Sequence, residues 1–392
     1  MDTGFIVAST FVKIAIVLGI AIAMFAPGLV WAERRQSAMI QDRIGPSRAS
    51  ITIFGVKITL GGLLHPLADA LKLIVKEDFV PPKADKLIFN LAPIIGMTPA
   101  ILVFAAIPFG DVVHLDYFWK VLPEGVEATA RSTGLQIAPL DVGILFVFAI
   151  AGTGILGAAL GGYASNNKYS LLGGMRAASQ MVSYEVALGL SLVPAFMIYG
   201  TLRLEEMVNY QHEHLWGIAY PPMMLAAILY LTSAIAESKR IPFDVPEGES
   251  EIVGGYFTEY SGMKFGMYFM SEFIEMAALS CLFVVLFLGG WDVPFLSREG
   301  LDLPGTWEVT LPLIGTVADQ IPMAHGLVIT IQVLFFFFVK VVGMLYLLLL
   351  IRWTLPRFRF DQIMDVCWKG IIPLALANIA LTGLFILFFM KG

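Results

Sequence analysis

Charged residues are scarce in this sequence. Only 14% of its 392 residues are Asp, Glu, Lys or Arg, while 58% are hydrophobic. Soluble domains contain about 25% charged residues, and a soluble chain of this length would form about two or three domains with polar faces on its helices. The long apolar runs here lack such faces, so the sequence is typical of a membrane protein.

Cysteine is nearly absent, and basic residues are outnumbered by acidic ones. Cys281 and Cys367 are too few and too isolated to bind an iron–sulfur cluster, to form a zinc site or to build a disulfide framework. The five histidines show no ligand spacing typical of a metal site. A net charge of −6 without clustered Lys and Arg argues against nucleic acid as a partner. Any redox cofactor is therefore expected on another polypeptide.

Eight apolar runs approach the length of about 20 residues that a helix needs to cross a bilayer. The first follows Met1-Asp2-Thr3-Gly4, which lacks the basic start of a secretory signal, so it is interpreted as a retained span. The predicted fold is all-α, a polytopic membrane protein whose eight transmembrane helices form a single transmembrane domain, 1–392. The predicted spans are 5–32, 90–109, 140–163, 181–200, 221–237, 269–290, 325–351 and 371–390.

The basic residues indicate how these spans are oriented. Of the 25 Lys and Arg residues, 18 lie in the loops after the first, third, fifth and seventh spans. Because loops that stay inside the cell are enriched in Lys and Arg, both termini are predicted to lie outside. The outside segments 110–139 and 291–324 are predicted to be solvent-exposed loops without chemistry, the second with a hairpin near 306–310.

The longest inside loop, 33–89, is predicted to contain a short amphipathic helix within 61–78. Its apolar side chains recur at helical spacing while its charged side chains fall elsewhere, a pattern typical of a helix at the membrane interface. The apolar set is Leu64, Leu67, Leu71 and Ile74, and the charged set is Asp69, Lys72 and Lys76.

The densest candidate site is the inside loop after the fifth span. From Asp244 to Glu259 it contains five carboxylates and no basic residue. Like charges this close disfavour joint ionisation, so some pKa values should rise and the group should titrate as a coupled set. A charge run is usually a solvated loop, but aromatic and apolar residues are interleaved here, and an inside loop would normally be basic. Both features favour a functional loop that folds back against the protein.

Charged residues within or beside the spans form a second group of candidates. Each of four carboxylates would cost about 2.5–3.5 kcal/mol at the centre of a span and less near its ends, so they should face protein or water. Glu272 and Glu275 share a helix face, which fits both an interfacial pair at a helix mouth and a proton path. Lys340, deep in the seventh span, is expected to pair with a carboxylate across the bundle. The four carboxylates are Glu185, Glu237, Glu272 and Glu275.

Six segments, in order along the chain, resemble those of the quinone-chamber membrane subunit, the H subunit, of the proton-pumping NADH:quinone oxidoreductase, respiratory complex I. Together they cover nearly the whole chain, which makes the resemblance specific. The segments are Ala32-Glu33-Arg34-Arg35 with Gln41-Asp42-Arg43-Ile44-Gly45-Pro46; Pro66-Leu67-Ala68-Asp69-Ala70-Leu71-Lys72; 165–176; Gln180-Met181-Val182-Ser183-Tyr184-Glu185; 237–262; and 352–362.

The resemblance implies a subunit of a bacterial inner-membrane complex rather than a complete enzyme. In that family the subunit forms most of a narrow chamber through which a lipid quinone, ubiquinone or menaquinone, arrives from the bilayer. NADH, FMN and the iron–sulfur clusters are implied on partner subunits, and no cofactor is implied on this chain. The implied partners are peripheral-arm subunits at the quinone headgroup, neighbouring small membrane subunits, and membrane lipid.

The resemblance also implies roles for individual residues. Quinone reduction consumes two protons and transiently creates negative charge, so nearby cations and proton-relaying carboxylates suit such a chamber. The third span has no carboxylate after Asp141, where some relatives place one, so either Asp141 substitutes or the route differs. The implied chamber residues are Glu33, Arg34, Arg35, Asp69 and Arg352, and the implied proton-path residues are Glu185, Glu237, Asp244, Glu247, Glu249, Glu251, Glu259 and Glu272.

Two alternative functions stay open at this point. One is the homologous membrane subunit of a membrane-bound hydrogenase-type complex, although the complete motifs at 32–46 and 237–262 favour the quinone-reducing member. The other is an unrelated secondary transporter, which should show inverted repeats with paired broken helices. No repeat is visible in the sequence.

Overall fold

The part of the chain that the structure describes folds as a helical bundle with four small two-stranded sheets. The computed structural model describes residues 3–53, 56–122, 132–302, 309–311, 315–317 and 320–390. The helices are α1 (Thr3–Leu18), α2 (Ala26–Ile40), α3 (Leu64–Val75), α4 (Lys86–Leu102), α5 (Gly143–Ala164), α6 (Lys168–Tyr199), α7 (Leu204–Glu213), α8 (Pro221–Glu237), α9 (Glu249–Ile252), α10 (Gly262–Phe287), α11 (His325–Leu334), α12 (Val342–Thr354), α13 (Phe360–Asp365) and α14 (Ile372–Phe385).

Short strands in the segments between the helices form antiparallel pairs. The pairs are β1 (Ile51–Ile53) with β2 (Val56–Ile58), β3 (Val112–His114) with β4 (Ser132–Gly134), β5 (Gly300–Asp302) with β8 (Gln320–Pro322), and β6 (Val309–Leu311) with β7 (Gly315–Val317). The predicted all-α character is confirmed for the bundle, and these strands were not predicted, apart from the hairpin expected near 306–310. Its first part, 306–308, lies outside the described residues.

Six helices in the described ranges are long and apolar enough to cross a membrane. Two further apolar helices, Gly4–Leu18 and Pro221–Glu237, are shorter. The first of these continues without a break through the π-helical turn Gly19–Phe25 into α2. The six are Lys86–Ala106, Gly143–Ala164, Lys168–Tyr199, Gly262–Phe287, His325–Thr354 and Phe360–Phe389.

The bounds of several spans differ from the prediction at their polar ends. The fourth was predicted at 181–200, but α6 begins at Lys168, where the side chain of Asn167 accepts a hydrogen bond from the Tyr169 amide and caps the helix. The eighth was predicted at 371–390, but the chain is helical from Phe360. Hydropathy locates the apolar centre of a span and misses the turns whose polar side chains bond to other segments.

The predicted amphipathic helix is confirmed as α3. Leu67, Leu71 and Ile74 remain 56–62% exposed, so an apolar face lies open on the surface of the chain. On its other side, Leu73 packs against Gly266 of α10, where a Cβ atom would lie 3.0 Å from the Leu73 Cδ1. The helix therefore lies against the bundle while it presents apolar side chains outward, as a helix at a membrane surface does.

Helix α10 lies at the centre of the bundle. In its most apolar window 78% of the residues are buried, against 22% for Phe360–Phe389 and 28% for α5. Backbones approach closely beside it, because a Cβ on Gly157 of α5 would lie 2.4 Å from the Cα of Gly96 in α4. Small residues permit this contact, as is usual between membrane helices. We call the end of the bundle that carries loop 238–261 the basic end, and the other the opposite end.

At the opposite end the predicted exposure was wrong for some of the loop residues. Asp111 is buried, and its two carboxylate oxygens accept hydrogen bonds from Arg298 at 2.6 and 2.9 Å. Trp291 is only 1% exposed. The two segments expected to be solvated thus pack together, because this bidentate ion pair joins them.

The prediction of a carboxylate partner for Lys340 was also wrong. Its ammonium donates hydrogen bonds to the carbonyl oxygens of Leu288, Gly290 and Asp292 at 2.6, 2.9 and 2.6 Å. It also lies 4.3 Å from the centre of the Trp216 ring. The last carbonyls of a helix lack partners within the helix and carry partial negative charge. Leu288 is the residue that ends α10, and Gly290 and Asp292 follow it, so Lys340 binds the turn that leaves this helix.

Candidate functional site

The acidic loop 238–261 is folded into the protein at the basic end. Lys239, Arg240 and Asp244 are between 4% and 8% exposed. Most of the interleaved apolar residues are buried as well, although Val253 is 62% exposed, so most of the loop is not a solvated charge run. The buried ones are Phe243, Val245, Ile252, Tyr256 and Phe257.

Neighbouring elements hold this loop in place through backbone contacts. The side-chain amide of Gln180, in α6, donates to the carbonyl oxygens of Ala236 and Phe243 at 2.8 and 2.7 Å. Gly255 has φ +55°, and a Cβ there would lie 1.8 Å from the Pro246 carbonyl oxygen, so the turn requires glycine. A rigid turn and a buried amide therefore fix where the loop's charged side chains point.

A first charged group joins three segments that are distant in sequence. The Glu33 carboxylate, in α2, lies 3.2 Å from a guanidinium nitrogen of Arg240 and 3.0 Å from one of Arg352. Arg240 also lies 3.8 Å from Glu272 and 4.0 Å from the centre of the Phe273 ring. Two of the predicted chamber residues, Glu33 and Arg352, thus pair directly, and Glu33 also pairs with Arg240, which the prediction did not select.

The other predicted chamber residues lie at the surface. Arg34 and Asp69 form an ion pair of 2.6 Å between α2 and α3, with side chains 43% and 39% exposed. Arg35 is exposed, and its side chain lies beside Gly45. The exposed Arg34–Asp69 pair is therefore distinct from the buried group around Glu33.

A second charged group surrounds a cavity of about 50 Å³ inside the bundle. The ammonium of Lys239 lies 3.5 Å from the Glu275 carboxylate. Glu237 is 4% exposed, and its Oε2 atom has no hydrogen-bond partner in the part of the chain that is described. A cavity of this size has room for roughly three water molecules. The charged residues that line it are Glu185, Glu237, Lys239 and Glu275.

Glu272 lies between these two groups. Its Oε1 atom accepts a hydrogen bond of 3.3 Å from the Tyr256 hydroxyl, and Tyr256 also lines the cavity. Its Oε2 atom faces Arg240 of the first group at 3.8 Å. Because Glu272 and Glu275 lie one helical turn apart on α10, this helix carries one carboxylate of each group.

The five loop carboxylates do not form one set. Asp244 pairs with Arg357 at 2.5 Å; burial raises the pKa of its carboxyl to about 6, although Arg357 opposes the shift. Burial, followed by the charges of Glu272 and Asp244, raises the pKa of Glu247 to about 8. A rise in pKa was predicted from neighbouring like charges; it is found for these two residues, with burial as its main cause.

The remaining loop carboxylates lie elsewhere. Glu251 pairs with Arg176 at 2.6 Å, and Glu259 accepts a hydrogen bond of 2.7 Å from the side chain of Asn167. Both partners lie at the start of α6. The side chain of Glu249 lies outside the described residues, although its backbone begins α9. The loop therefore divides into a buried part and a part fastened to α6.

Asp141 does not replace a carboxylate in the third span. It lies at the opposite end, with a side chain that is 90% exposed and 3.4 Å from Arg203. Glu185 instead lies against α5 at Gly152, where a Cβ would be 2.7 Å from its Oε1 atom. Of the two alternatives, this geometry therefore agrees with the one in which the implied proton path takes a different route, without Asp141.

Sequence reasoning left Lys239, Arg240 and Glu275 out of the selected site. The first two were counted only as orientation signals, although only Ser238 separates them from the buried Glu237. Glu275 stood out only for its position in a span. Adjacent basic residues at the end of an apolar helix that also carries a carboxylate were the signal that could have identified them.

The sequence model of the NADH dehydrogenase family matches residues 12–383 of this chain. The chain belongs to the NADH dehydrogenase family. It is 39% identical to the NADH-quinone oxidoreductase H subunit 1 of Cytophaga hutchinsonii, with 98% of each chain covered. It is 43% identical to the NADH-quinone oxidoreductase H subunit 1 of Geobacter metallireducens, with 95% of this chain and 94% of that one covered. An unrelated secondary transporter is thereby excluded.

The raised pKa of Glu247 predicts how the stability of this NADH dehydrogenase family member depends on pH. The folded state holds the proton up to about pH 8, whereas the unfolded state releases it near the ordinary pKa of 4.5. The natural protein should therefore lose stability as pH rises from 4.5 through 8. Glu247→Gln, which is neutral in both states, should gain up to about 5 kcal/mol over the natural protein between about pH 5 and pH 9.

Thermal unfolding of the purified, detergent-solubilised protein across this pH range measures the effect. Glu77→Gln is the matched control, because Glu77 is exposed on the same end of the bundle. The prediction would be contradicted if the unfolding temperatures of the natural protein and of Glu247→Gln changed in parallel with pH.

Proposed function

We propose that this chain is the H subunit, the quinone-chamber membrane subunit, of an NADH-quinone oxidoreductase and that it couples quinone reduction to proton translocation. The observation that carries the proposal is the series of charged groups from Glu33 through Arg240 and Glu272 to the cavity beside Glu237. It runs from loops at the basic end into the middle of apolar helices. Isolated charges are costly at that depth, so a series of them points to ion or proton transfer.

The chamber would lie where α2, α3 and the loop meet at the basic end. A lipid quinone has an apolar tail and a polar headgroup, and the exposed apolar face of α3 lies beside the Arg34–Asp69 ion pair. The tail would contact the leucines of α3, and the headgroup would lie near the charged residues. The access tunnel would thus be walled by this chain, with the reduction site completed by peripheral-arm subunits.

The coupling path would begin at Asp244 and Glu247. When quinone reduction creates negative charge, carboxyls with pKa values of about 6 and 8 can release or take up protons near neutral pH. Glu272 and Tyr256 would pass this change in protonation to the groups that line the cavity. Glu185 would pass it on towards neighbouring membrane subunits. Glu249, Glu251 and Glu259 would hold or shape the loop beside this path.

The topology that fits this proposal has eight spans. The two shorter apolar helices would cross with the six longer ones, giving one transmembrane domain with both termini in the periplasm and the basic loops in the cytoplasm. NADH, FMN and the iron–sulfur clusters would be bound by partner subunits. This arrangement places the loops of the basic end against the peripheral arm.

Asp69→Asn in the purified, assembled complex tests the chamber. Loss of the carboxylate leaves Arg34 unpaired beside the proposed tunnel, so quinone reduction should fall about tenfold while reduction of a soluble artificial acceptor is retained. The measurement compares the two rates with NADH as donor. Asp365→Asn is the control, because Asp365 pairs with Lys369 on an exposed helix face. If Asp69→Asn lowered both activities equally, or left both unchanged, the result would count against the chamber.

A further inference from the structure

Lys239 is the buried cation whose role the proposed path leaves open. It lies two residues beyond the end of α8, is 7% exposed and has φ +54°, a backbone conformation that is uncommon for a residue other than glycine. Its ammonium lies 3.5 Å from the Glu275 carboxylate. A long, flexible side chain in an unfavourable backbone conformation and away from solvent requires a compensating interaction.

The charges around the cavity supply that interaction. Among the described residues, its lining contains three carboxyl groups and one ammonium group. Glu272, Tyr256 and Tyr268 face the same region, and Arg240 is engaged by Glu33 and Glu272. The lining residues with charge are Glu185, Glu237, Glu275 and Lys239.

Electroneutrality then limits how many of the carboxyls can be ionised. A buried charge is tolerated when it is paired with an opposite one. With one ammonium present, one of the three carboxyls can carry negative charge while the other two hold protons. Burial opposes the charged form of Lys239, but the carboxylates of Glu275, Glu272 and Glu237 outweigh it and its pKa is raised. The ammonium therefore keeps its proton near neutral pH.

We propose that Lys239 is the counter-ion that allows a single negative charge to move among the carboxyls of this cavity. In one transfer step the O–H bond of the Glu237 carboxyl breaks and an O–H bond forms on the Glu275 carboxylate, through water that the cavity can hold. The proton moves one way and the negative charge the other, while Lys239 exchanges no proton. Lys239 is thus a positioning residue for proton transfer, and this inference rests on the proposed function.

The test uses the assembled complex reconstituted into liposomes. We expect Lys239→Gln to lower the number of protons translocated per NADH oxidised and to slow quinone reduction about tenfold. Lys239→Arg keeps the positive charge and should restore most of both. A structural role alone would not move the pH profile. Without the cation the carboxyls hold protons to higher pH, so the alkaline limb of quinone reduction should shift up by about one pH unit.

Two further variants keep the outcomes distinct. If Lys239→Gln does not assemble, the Lys239→Gln/Glu275→Gln double variant removes both charges of the pair; it should assemble and still fail to translocate protons. Glu237→Gln is measured in the same preparation. If it abolishes translocation while Lys239→Gln changes neither translocation nor the pH profile, the inference about Lys239 is wrong and the path stands. If both variants translocate normally, the proposed path itself is wrong.

Discussion

Arg240→Met is expected to be the most destabilising single substitution at the basic end. The guanidinium of Arg240 lies between the carboxylates of Glu33 and Glu272 and over the Phe273 ring, and the residue is 8% exposed. Glu33 would keep Arg352 as a partner, but the nearest cation to Glu272 would be lost. Removing one partner of a buried ion pair costs about 3–5 kcal/mol. The unfolding temperature and the yield of assembled complex measure this loss.

Arg359→Met is the matched control for this substitution. Arg359 also pairs with a carboxylate, Asp361 at 2.9 Å, but its side chain is 71% exposed. Exposed pairs contribute at most about 1 kcal/mol. The Arg240→Met/Glu272→Gln double variant should recover part of the stability, because it also removes the unpaired carboxylate. Equal effects of Arg240→Met and Arg359→Met would mean that the buried network does not determine stability here.

Glu237→Gln is expected to abolish proton translocation while leaving the fold intact. Glutamine has nearly the same shape, and Oε2 of Glu237 has no hydrogen-bond partner among the described residues that the change would break. The glutamine amide cannot take up and release a proton as a carboxyl group does, so proton transfer through this position should stop. Quinone reduction that is coupled to the path should fall about 100-fold. Proton uptake by liposomes and NADH-dependent quinone reduction measure the two effects.

The controls for this variant separate chemistry from assembly. Glu213→Gln changes an exposed carboxylate at the end of α7 and should leave both activities unchanged. Glu237→Asp keeps an acid in a shorter side chain and should retain part of the translocation. Reduction of a soluble artificial acceptor reports whether the partner subunits are in place. Normal translocation by Glu237→Gln would remove Glu237 from the path.

The apolar centres of the helices could be predicted because hydropathy depends on local composition. The prediction located the fifth span at 221–237, the same residues as α8. It missed the first part of α6, 168–180, which is stabilised by contacts such as that of the Gln180 amide with the Phe243 carbonyl, 63 residues away. The sheet of β5 and β8 likewise depends on pairing across the segment between them, as in Gly300 with Pro322. Such contacts leave no periodic signal in the sequence.

The site could be predicted only in part for a related reason. A carboxylate in an apolar run stands out wherever it is, so Glu237 and Glu272 were identified. A basic residue at the end of a span is common and indicates orientation, so Lys239 and Arg240 were interpreted in that way, and only the nearby carboxylate of Glu237 was a signal of burial. The partner of Lys340 could not be predicted at all, since the carbonyls at the end of a helix are present whatever its side chains are.

The hydrogen bonds of Lys340 have a mechanical consequence for α10. The turn at the far end of that helix is held by three hydrogen bonds to one ammonium, while Glu272 lies in the half nearer the basic end and Glu275 lies at the middle. A helix that is fixed at one end and pushed near the other pivots about its fixed end. A change of charge at Glu272 should therefore produce sideways motion in the plane of the membrane, against α4 and α8, rather than a piston-like shift along the membrane normal.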